Sequence, residues 1–570
     1  MTPVEANPPA ASPKTPKSDR PKRAPKPQGQ WALGQTEPLN DNERFKQEDN
    51  GLNVRQRIEQ IYSKEGFASI PADDLRGRMR WWGLYTQRKK GIPGGKTGSL
   101  PVEELDAEFF MMRVRSDGGA LSAEQARIIA HISRRYARNT ADISDRQNIQ
   151  LHWIRIEDVP EIWRQLESVG LGTTEACGDT PRVILGSPVA GVAADEIIDG
   201  TPAIEEILRR YIGDPELANL PRKFKSAVSG SPRQDVAHEI NDISFIGVEH
   251  PDLGPGFDLW VGGGLSTVPK LGTRLGAWVA LADVPDVWFA TVQLFRDYGY
   301  RRLRNKARLK FLIADWGAEK FRQVLENEYL GRKLADGPPP PAPAAGARDH
   351  VGIHPQQDGK FYVGAAPTVG RISGSRLARI ADLAEKYGSG RIRLTAHQKF
   401  VLLDIPQENT ERVAQELEGM QLRVRPSQFR RAAMACTGIE YCKLAISETK
   451  ARTADLVTDL EQRRPEWDLP LAIHVNGCPN SCARFQVADI GLKGVLATDD
   501  EGQQAEGFQV HLGGSLGEES GFGRSPRGLR LSADDLSDYV DRLIGRFEEQ
   551  RTADESFAQW SIRAAEDDLR

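Results

Sequence analysis

Four of the chain's five cysteines fall between positions 436 and 482, in two pairs. Cys436 and Cys442 lie in ACTGIEYCKLA, and Cys478 and Cys482 in NGCPNSCARF. The spacing is C-x5-C followed by C-x3-C. Thiolates are metal ligands, and structural zinc sites favour tighter C-x2–4-C pairs. A four-thiolate iron–sulfur cluster accepts wider gaps, because its irons occupy separate corners of a cube. Four unrelated cysteines, each packed as a small apolar side chain, are a third reading, which the pairing disfavours.

A second set of reactive residue types is cationic and sits in the first half. Arg113 and Arg115 lie in RVRSDGG, Arg146 and Gln147 in SDRQNIQ, and Arg182 in ACGDTPRVILGSP. LPRKFKSAV gives Arg222, Lys223 and Lys225, and RRLRNKARLK gives Arg304, Lys306, Arg308 and Lys310. Taken singly, each reads as a solvated surface charge. In a strand, however, Lys223 and Lys225 share one face while Phe224 takes the other, and two such lysines repel unless an anion lies between them. Arginine forks suit carboxylates and oxyanions.

The elements that must position these residues come in two copies. At one constant offset Phe110 meets Phe361, Gly119 meets Gly370, Tyr136 meets Tyr387 and Gln147 meets Gln398. Each block reads as strand, amphipathic helix, then alternating strand. The offset returns where GFDLWVGGGLS at Gly256 meets GFQVHLGGSLG at Gly507. Between these blocks a slip of four residues sets VSGSPRQ against VNGCPNS, so Ser231 stands where Cys478 stands and Lys225 faces Ala472. The thiols belong to one copy and the cations to the other. A repeat of this length is a duplicated domain.

The expected division is a Pro/Lys-rich disordered tail (1–45), an N-terminal helical segment (46–105), a first α/β unit (106–175), a first-copy anion-binding domain (176–335), a Pro/Ala linker (336–349), a second α/β unit (350–420) and a thiol-bearing domain (421–570). The formal net charge of −4 gives no global basic field, so no nucleic-acid partner is expected. The most apolar stretch, LGAWVALADVPDVWFATVQLF, is interrupted by Asp283, Pro285 and Asp286, and no membrane span is expected. Few cysteines and no apolar leader core point to the cytoplasm, and a monomer is expected.

The two cysteine pairs resemble the cluster signature of the ferredoxin-dependent sulfite and nitrite reductases, and the resemblance runs from about Arg80 onward. It implies an internally duplicated α+β fold: two ferredoxin-like α/β units and two cofactor-binding α/β domains around a pseudo-two-fold axis. It implies a [4Fe–4S] cluster on Cys436, Cys442, Cys478 and Cys482, with Cys482 also ligating sirohaem iron. It places Arg115, Arg182, Lys223 and Lys225 around the substrate anion. Arg113, Arg146, Gln147, Arg222, Arg304 and Arg308 fall to the macrocycle carboxylates, and Gly262, Gly263 and Gly264 let backbone lie close to the ring. VGGGLS lacks the context of a dinucleotide fingerprint, so reduced ferredoxin is the expected donor. RVRPSQFRRA, before Cys436, is a candidate docking patch for that acidic partner or a second carboxylate-binding set. Some sulfite reductases of the family join a tyrosine in a GLYTQR stretch to a cysteine in an EACGD stretch; here these are Tyr85 and Cys177. That favours sulfite over nitrite. Nitrite reduction and a non-catalytic iron–sulfur or zinc protein are the alternatives.

Overall fold

The computed structural model describes residues 26–343, 348–498, 502–517 and 519–570. Among them the strands form four sheets. The first runs β1 (Leu84–Arg88), β2 (Asp106–Val114), β5 (Ile149–Ile154), β4 (Thr140–Ile143), β14 (Arg371–Ser373). The second runs β12 (Gly352–Pro355), β13 (Phe361–Ala365), β16 (Phe400–Ile405), β15 (Arg391–Leu394), β3 (Ala120–Ser122). Each α/β unit therefore lends an edge strand to the other's sheet. Arg371 pairs with Asp142 in one and Arg393 with Ala120 in the other. Helices Ala123–Tyr136 and Gly374–Tyr387 pack together across this exchange. A Cβ on Gly374 would lie 2.6 Å from Ser133 Oγ and 2.8 Å from Ala130 O, so glycine sets how closely they approach.

The larger domains repeat one topology. The first has β11 (Ala335–Asp336), β10 (Thr273–Val279), β9 (Gly254–Val261), β8 (Ile243–His250), β7 (Phe224–Ser229) and β6 (Pro181–Gly186). The second has β17 (Met434–Ala435), β18 (Ile473–Asn476), β19 (Ile490–Thr498), β20 (Gln504–Leu512) and β21 (Arg530–Ser532). Both are parallel across three strands at one edge, β6–β7–β8 and β17–β18–β19, and antiparallel beyond. Ser226 opposes Ile243 as Ile473 opposes Ile490. Register thus agrees with the slipped alignment that sets Ser231 against Cys478. The offset recovers in the next hairpin, which joins His250 to Gly254 in one copy and spans Thr498 to Gln504 in the other.

Three expectations change. The tail drawn over 1–45 is ordered from residue 26; residues 1–25 lie outside the described residues. Trp31 lies under the Arg301 guanidinium at 3.8 Å, and Asn40 donates to Arg301 O at 2.8 Å, contacts no local composition reveals. The segment 46–105 is not only helical, because Leu84–Arg88 pairs with β2. Of the 336–349 linker, residues 344–347 lie outside the described residues, and Pro341 O accepts from Gln234 Nε2 at 2.8 Å. No helix among the described residues is long and apolar enough to cross a membrane.

Candidate active site at the junction of the two halves

The thiols sit on the turns that follow β17 and β18 of the second large domain. Cys436 follows β17, and its N–H donates to Val475 O at 3.0 Å. Gly477, after β18, donates to Cys436 Sγ at 3.3 Å. The Cys442 turn is closed by its N–H on Gly438 O (2.9 Å) and tied to β18 by Ile446 N–H on Gly477 O (2.7 Å). Burial pushes the Cys436 thiol up to about 12, and neighbouring Cys482 and Cys442 add to this. Cys442 and Cys478 are likewise raised, first by burial and then by Cys482. The four thiols therefore share one electrostatic neighbourhood. Yet among the described residues no three His, Cys, Asp or Glu side chains converge as ligands of one metal ion. Cys482 is the exposed member.

Opposite Cys482 lies the cationic face of the first large domain. Burial pushes the Lys223 ammonium well below the usual lysine range, and Lys225, Arg222, Arg308 and Arg182 push it further. Lys225 is lowered to about 7 by burial and Arg146, while Asp145 and the Cys482 thiol oppose the shift. Arg113 is raised despite burial, by Cys177, Tyr85, Asp145 and Cys482. These causes put Lys225 and Arg113 within reach of Cys482. Both lysines are half-buried and neither Nζ makes a hydrogen bond or ion pair among the described residues, while the buried Arg113 Nε has no partner. Unpaired buried cations are costly unless an anion completes them.

The other predicted cations are held by acids that sequence reasoning passed over. Buried Asp179 gathers Arg304 (3.0 Å), Arg222 (3.3 Å) and Lys46 (3.4 Å). Asp242 takes Arg308 through both carboxylate oxygens, at 2.7 and 3.0 Å, and also accepts from Lys225 N–H at 2.8 Å. Arg146 donates to Asn241 Oδ1 (2.5 Å) and Val183 O (2.6 Å). Arg182 donates to Gly178 O (3.0 Å) and Ala176 O (3.2 Å). Arg484, two residues after Cys482, donates to Ala396 O and Asp145 O at 2.8 and 2.9 Å. His397 was also missed; its buried Nε2 has no partner, and burial lowers it to about 3.

Four assignments are corrected by this geometry. Arg115 does not join the free cations: β2 ends at Val114, and the guanidinium turns onto Asp117 at 2.6 and 3.0 Å. Arg113, two residues earlier, keeps a buried Nε without a partner among the described residues. Gln147 is fully buried, and its amide nitrogen donates to Gly186 O and Leu394 O, both at 2.8 Å, locking the halves rather than facing the cleft. Gly262 and Gly263 close onto the chain's own backbone: their N–H groups donate to Asp242 O and Asn241 O, and only Gly264 lies against Arg308. In RVRPSQFRRA, Arg423, Arg425, Arg430 and Arg431 are paired with Glu418, Glu411, Glu461 and Asp349, so no free basic patch remains there.

Tyr85, on β1, and the fully buried Cys177 are neighbours: after burial, the Cys177 thiol is the main influence raising the tyrosine hydroxyl. Glu175, two residues before Cys177, is fully buried and its Oε1 has no partner. Burial raises its carboxyl to about 7. A carboxyl raised in the folded state contributes stability below its unfolded value, lost as pH rises from about 4.5 through 7. Glu175→Gln should remove a decline of about 3 kcal/mol across that window. Guanidinium unfolding at pH 4.5 and pH 8 checks this; equal declines in both proteins would show that Glu175 folds ionised.

The pattern described as "Nitrite and sulphite reductase 4Fe-4S domain" matches residues 177–334 and 427–562. "Nitrite/Sulfite reductase ferredoxin-like half domain" matches 103–169 and 354–420. The chain belongs to the nitrite and sulphite reductase family. It is 59% identical to "Sulfite reductase [ferredoxin] 2" of Mycolicibacterium paratuberculosis, over 95% of this chain and 98% of that one. The solved "Structure of Mycobacterium tuberculosis NirA protein" superposes with a TM-score of 0.94 at 57% identity, covering 96% of this chain and all of that one. An assimilatory ferredoxin-dependent nitrite reductase of Haloferax mediterranei is 37% identical over 91% of this chain and 90% of its own. The duplication that positions the thiols and cations is thus the family's repeat of half domain and 4Fe-4S domain.

Proposed function

We propose that the protein is a ferredoxin-dependent sulfite reductase that carries the six-electron reduction of sulfite to sulfide. The observation that carries this reading is a set of half-buried cations, Lys223, Lys225 and Arg113, that make no hydrogen bond or ion pair among the described residues, two of which, Lys225 and Arg113, lie within electrostatic reach of the exposed Cys482 across the junction. The 59% relative named for sulfite reduction supports sulfite over nitrite. Cys436, Cys442, Cys478 and Cys482 would hold a [4Fe–4S] cluster, with Cys482 also on sirohaem iron. The arginines near the cleft, Arg146, Arg222, Arg304 and Arg308, are the candidates for the macrocycle carboxylates. When bound, these groups supply the iron that takes the sulfur of sulfite and a store for single electrons beside it.

The chain's own residues do the rest. Lys223, Lys225, Arg113 and Arg182 surround the anion's oxygens and withdraw their charge. The lysines, with protons loosened by burial, are suited to donate to oxygens leaving as water and to be reprotonated between steps. Asp242 positions the group: one carboxylate fixes the Lys225 backbone and the Arg308 guanidinium together. Steady-state assays with a chemically reduced viologen dye should give higher kcat/KM for sulfite than for nitrite, with sulfide as product. The opposite ranking would make the protein a nitrite reductase.

The donor is expected at a different surface from RVRPSQFRRA. Leu444, two residues after Cys442, is 60% exposed. The loop after β1 packs on the same turn, with Arg88 N–H on Tyr441 O (2.8 Å) and Thr97 Oγ1 on Ala445 O (2.8 Å). It displays Lys89 and Lys96 to solvent. This is a basic rim around an apolar contact beside a cluster ligand, complementary to an acidic carrier. Lys89→Glu with Lys96→Glu should raise KM for reduced ferredoxin roughly tenfold at low salt, without changing rates with a viologen dye. An equal loss with both donors would place docking elsewhere.

Tyr85 and Cys177 are proposed to form a thioether in the mature enzyme. A bond from Sγ to a ring carbon releases one hydrogen from each residue, so a two-electron oxidant such as dioxygen must accept them. Peptide mapping should find residues 85 and 177 joined, with the mass of two hydrogens missing. Separate unmodified peptides from active enzyme would contradict it.

A further inference from the structure

A cavity of about 590 Å³ lies in the first half, lined by none of the four cluster cysteines. The second half fills the corresponding space. There helix Lys450–Arg463 opens with Lys450, whose ammonium donates to Val369 O at 2.6 Å and stands 3.8 Å from Asp142. The counterpart helix, Thr201–Tyr211, opens with Thr201. At the offset of the duplication, Gly118 stands for Val369 and Arg393 for Asp142; the reciprocal strand exchange confirms the second match, since Arg393 opposes Ala120 as Asp142 opposes Arg371. The space in the first half thus lacks the lysine and the isopropyl group found at the matched positions of the second, and it carries a guanidinium where the second has a carboxylate.

Thr201, Gly118 and Arg393 all line the cavity. Arg393 is largely withdrawn from solvent and has no hydrogen-bond or ion-pair partner among the described residues, whereas neighbouring Arg391 is spent on Asp404 at 2.7 Å. Of the acids in the lining, Asp117 is neutralised by Arg115, and Glu205 is exposed at the mouth. Ile204, Leu208 and Val228 supply an apolar wall. The volume is that of a small-molecule site; Asp199, Asp404 and Glu205 act on Arg393 from a distance, but none makes an ion pair with it, so its guanidinium fork is left for a ligand.

We propose that this cavity binds a small organic anion, with its carboxylate or oxyanion head on Arg393 and its apolar body against Ile204, Leu208 and Val228. The site shares a wall with the proposed active site. Asp117 Oδ1 accepts from Ile184 N–H at 2.8 Å, and Arg115 donates to Arg182 O at 3.5 Å. Both acceptor and donor lie on β6, which carries Arg182.

Benzoate is a suitable probe, titrated calorimetrically into holoenzyme already saturated with sulfite so that the substrate cations are occupied. Benzoate is expected to bind with one-to-one stoichiometry, and cationic benzamidine is not. Arg393→Gln should weaken binding at least ~10-fold, and Thr201→Lys, which restores the filling seen in the second half, should abolish it. Both variants should keep sulfite turnover within about twofold of the parent, since neither residue touches the substrate cleft. No benzoate binding at about 10 mM, or binding unchanged in either variant, would overturn the proposal.

Discussion

Lys223→Met and Lys225→Met should each lower kcat/KM for sulfite by about 10²–10³-fold, the usual loss when one preorganised charge-stabilising group is removed. Both lysines are half-buried, neither Nζ has a partner among the described residues, and each ammonium is destabilised by burial and by the cations around it. Methionine keeps the stem's bulk while removing a charge that costs energy to bury. Folding stability should therefore hold or rise, as expected when a functional group is kept at the fold's expense. Arg115→Met should behave in the opposite way: it strands Asp117 and costs stability, while the sulfite KM of the enzyme that folds stays near the parent's. Steady-state kinetics and guanidinium unfolding of the three variants check both halves. Equal losses of stability in all three would remove the distinction between free and paired cations.

Cys482→Ser should be the most damaging single change. Cys482 is the exposed member of the thiol set, and the other three thiols and Lys225 all lie within its electrostatic reach. Loss of groups that only support a metal ligand costs 10–100-fold, so removing a proposed shared ligand should cost at least ~100-fold in activity. Purified variant should also show altered or missing sirohaem absorption. Full activity and an unchanged spectrum would move the bridging role to another residue. Cys177→Ser is a useful companion, because that thiol is proposed to hold no metal: it should keep the spectrum and lose only the link to Tyr85.

The cysteines were legible because a reactive residue type, rare elsewhere in the chain, recurs at close spacing. The duplication was legible because backbone demands leave marks: Gly119 and Gly370 both adopt left-handed φ, near 70°, and matching glycines survived in both copies. Arg113 and Arg115 could not be separated in this way. Two positions apart, they share a strand face on paper, and only the turn through Gly118 (φ 62°) brings Asp117 back onto Arg115. Gln147 sat among cations and read as one of their group; its left-handed backbone and its bonds across to Leu394 are tertiary facts. RVRPSQFRRA failed for the same reason, since the acids that neutralise Arg430 and Arg431, Glu461 and Asp349, are far away in sequence. Charge type was readable; charge balance was not. The acids that decide it, Asp179 and Asp242, look like ordinary surface residues until the fold buries them.

One junction between the halves is proposed to hold a four-thiolate cluster and a haem that shares Cys482. The most direct test is an absorption spectrum of the anaerobically purified protein, with iron and acid-labile sulfide determined on the same sample. Sirohaem bands over a broad cluster shoulder are expected, with ~5 irons and ~4 labile sulfides per chain. A colourless protein carrying zinc, or cluster iron without haem absorption, would contradict it.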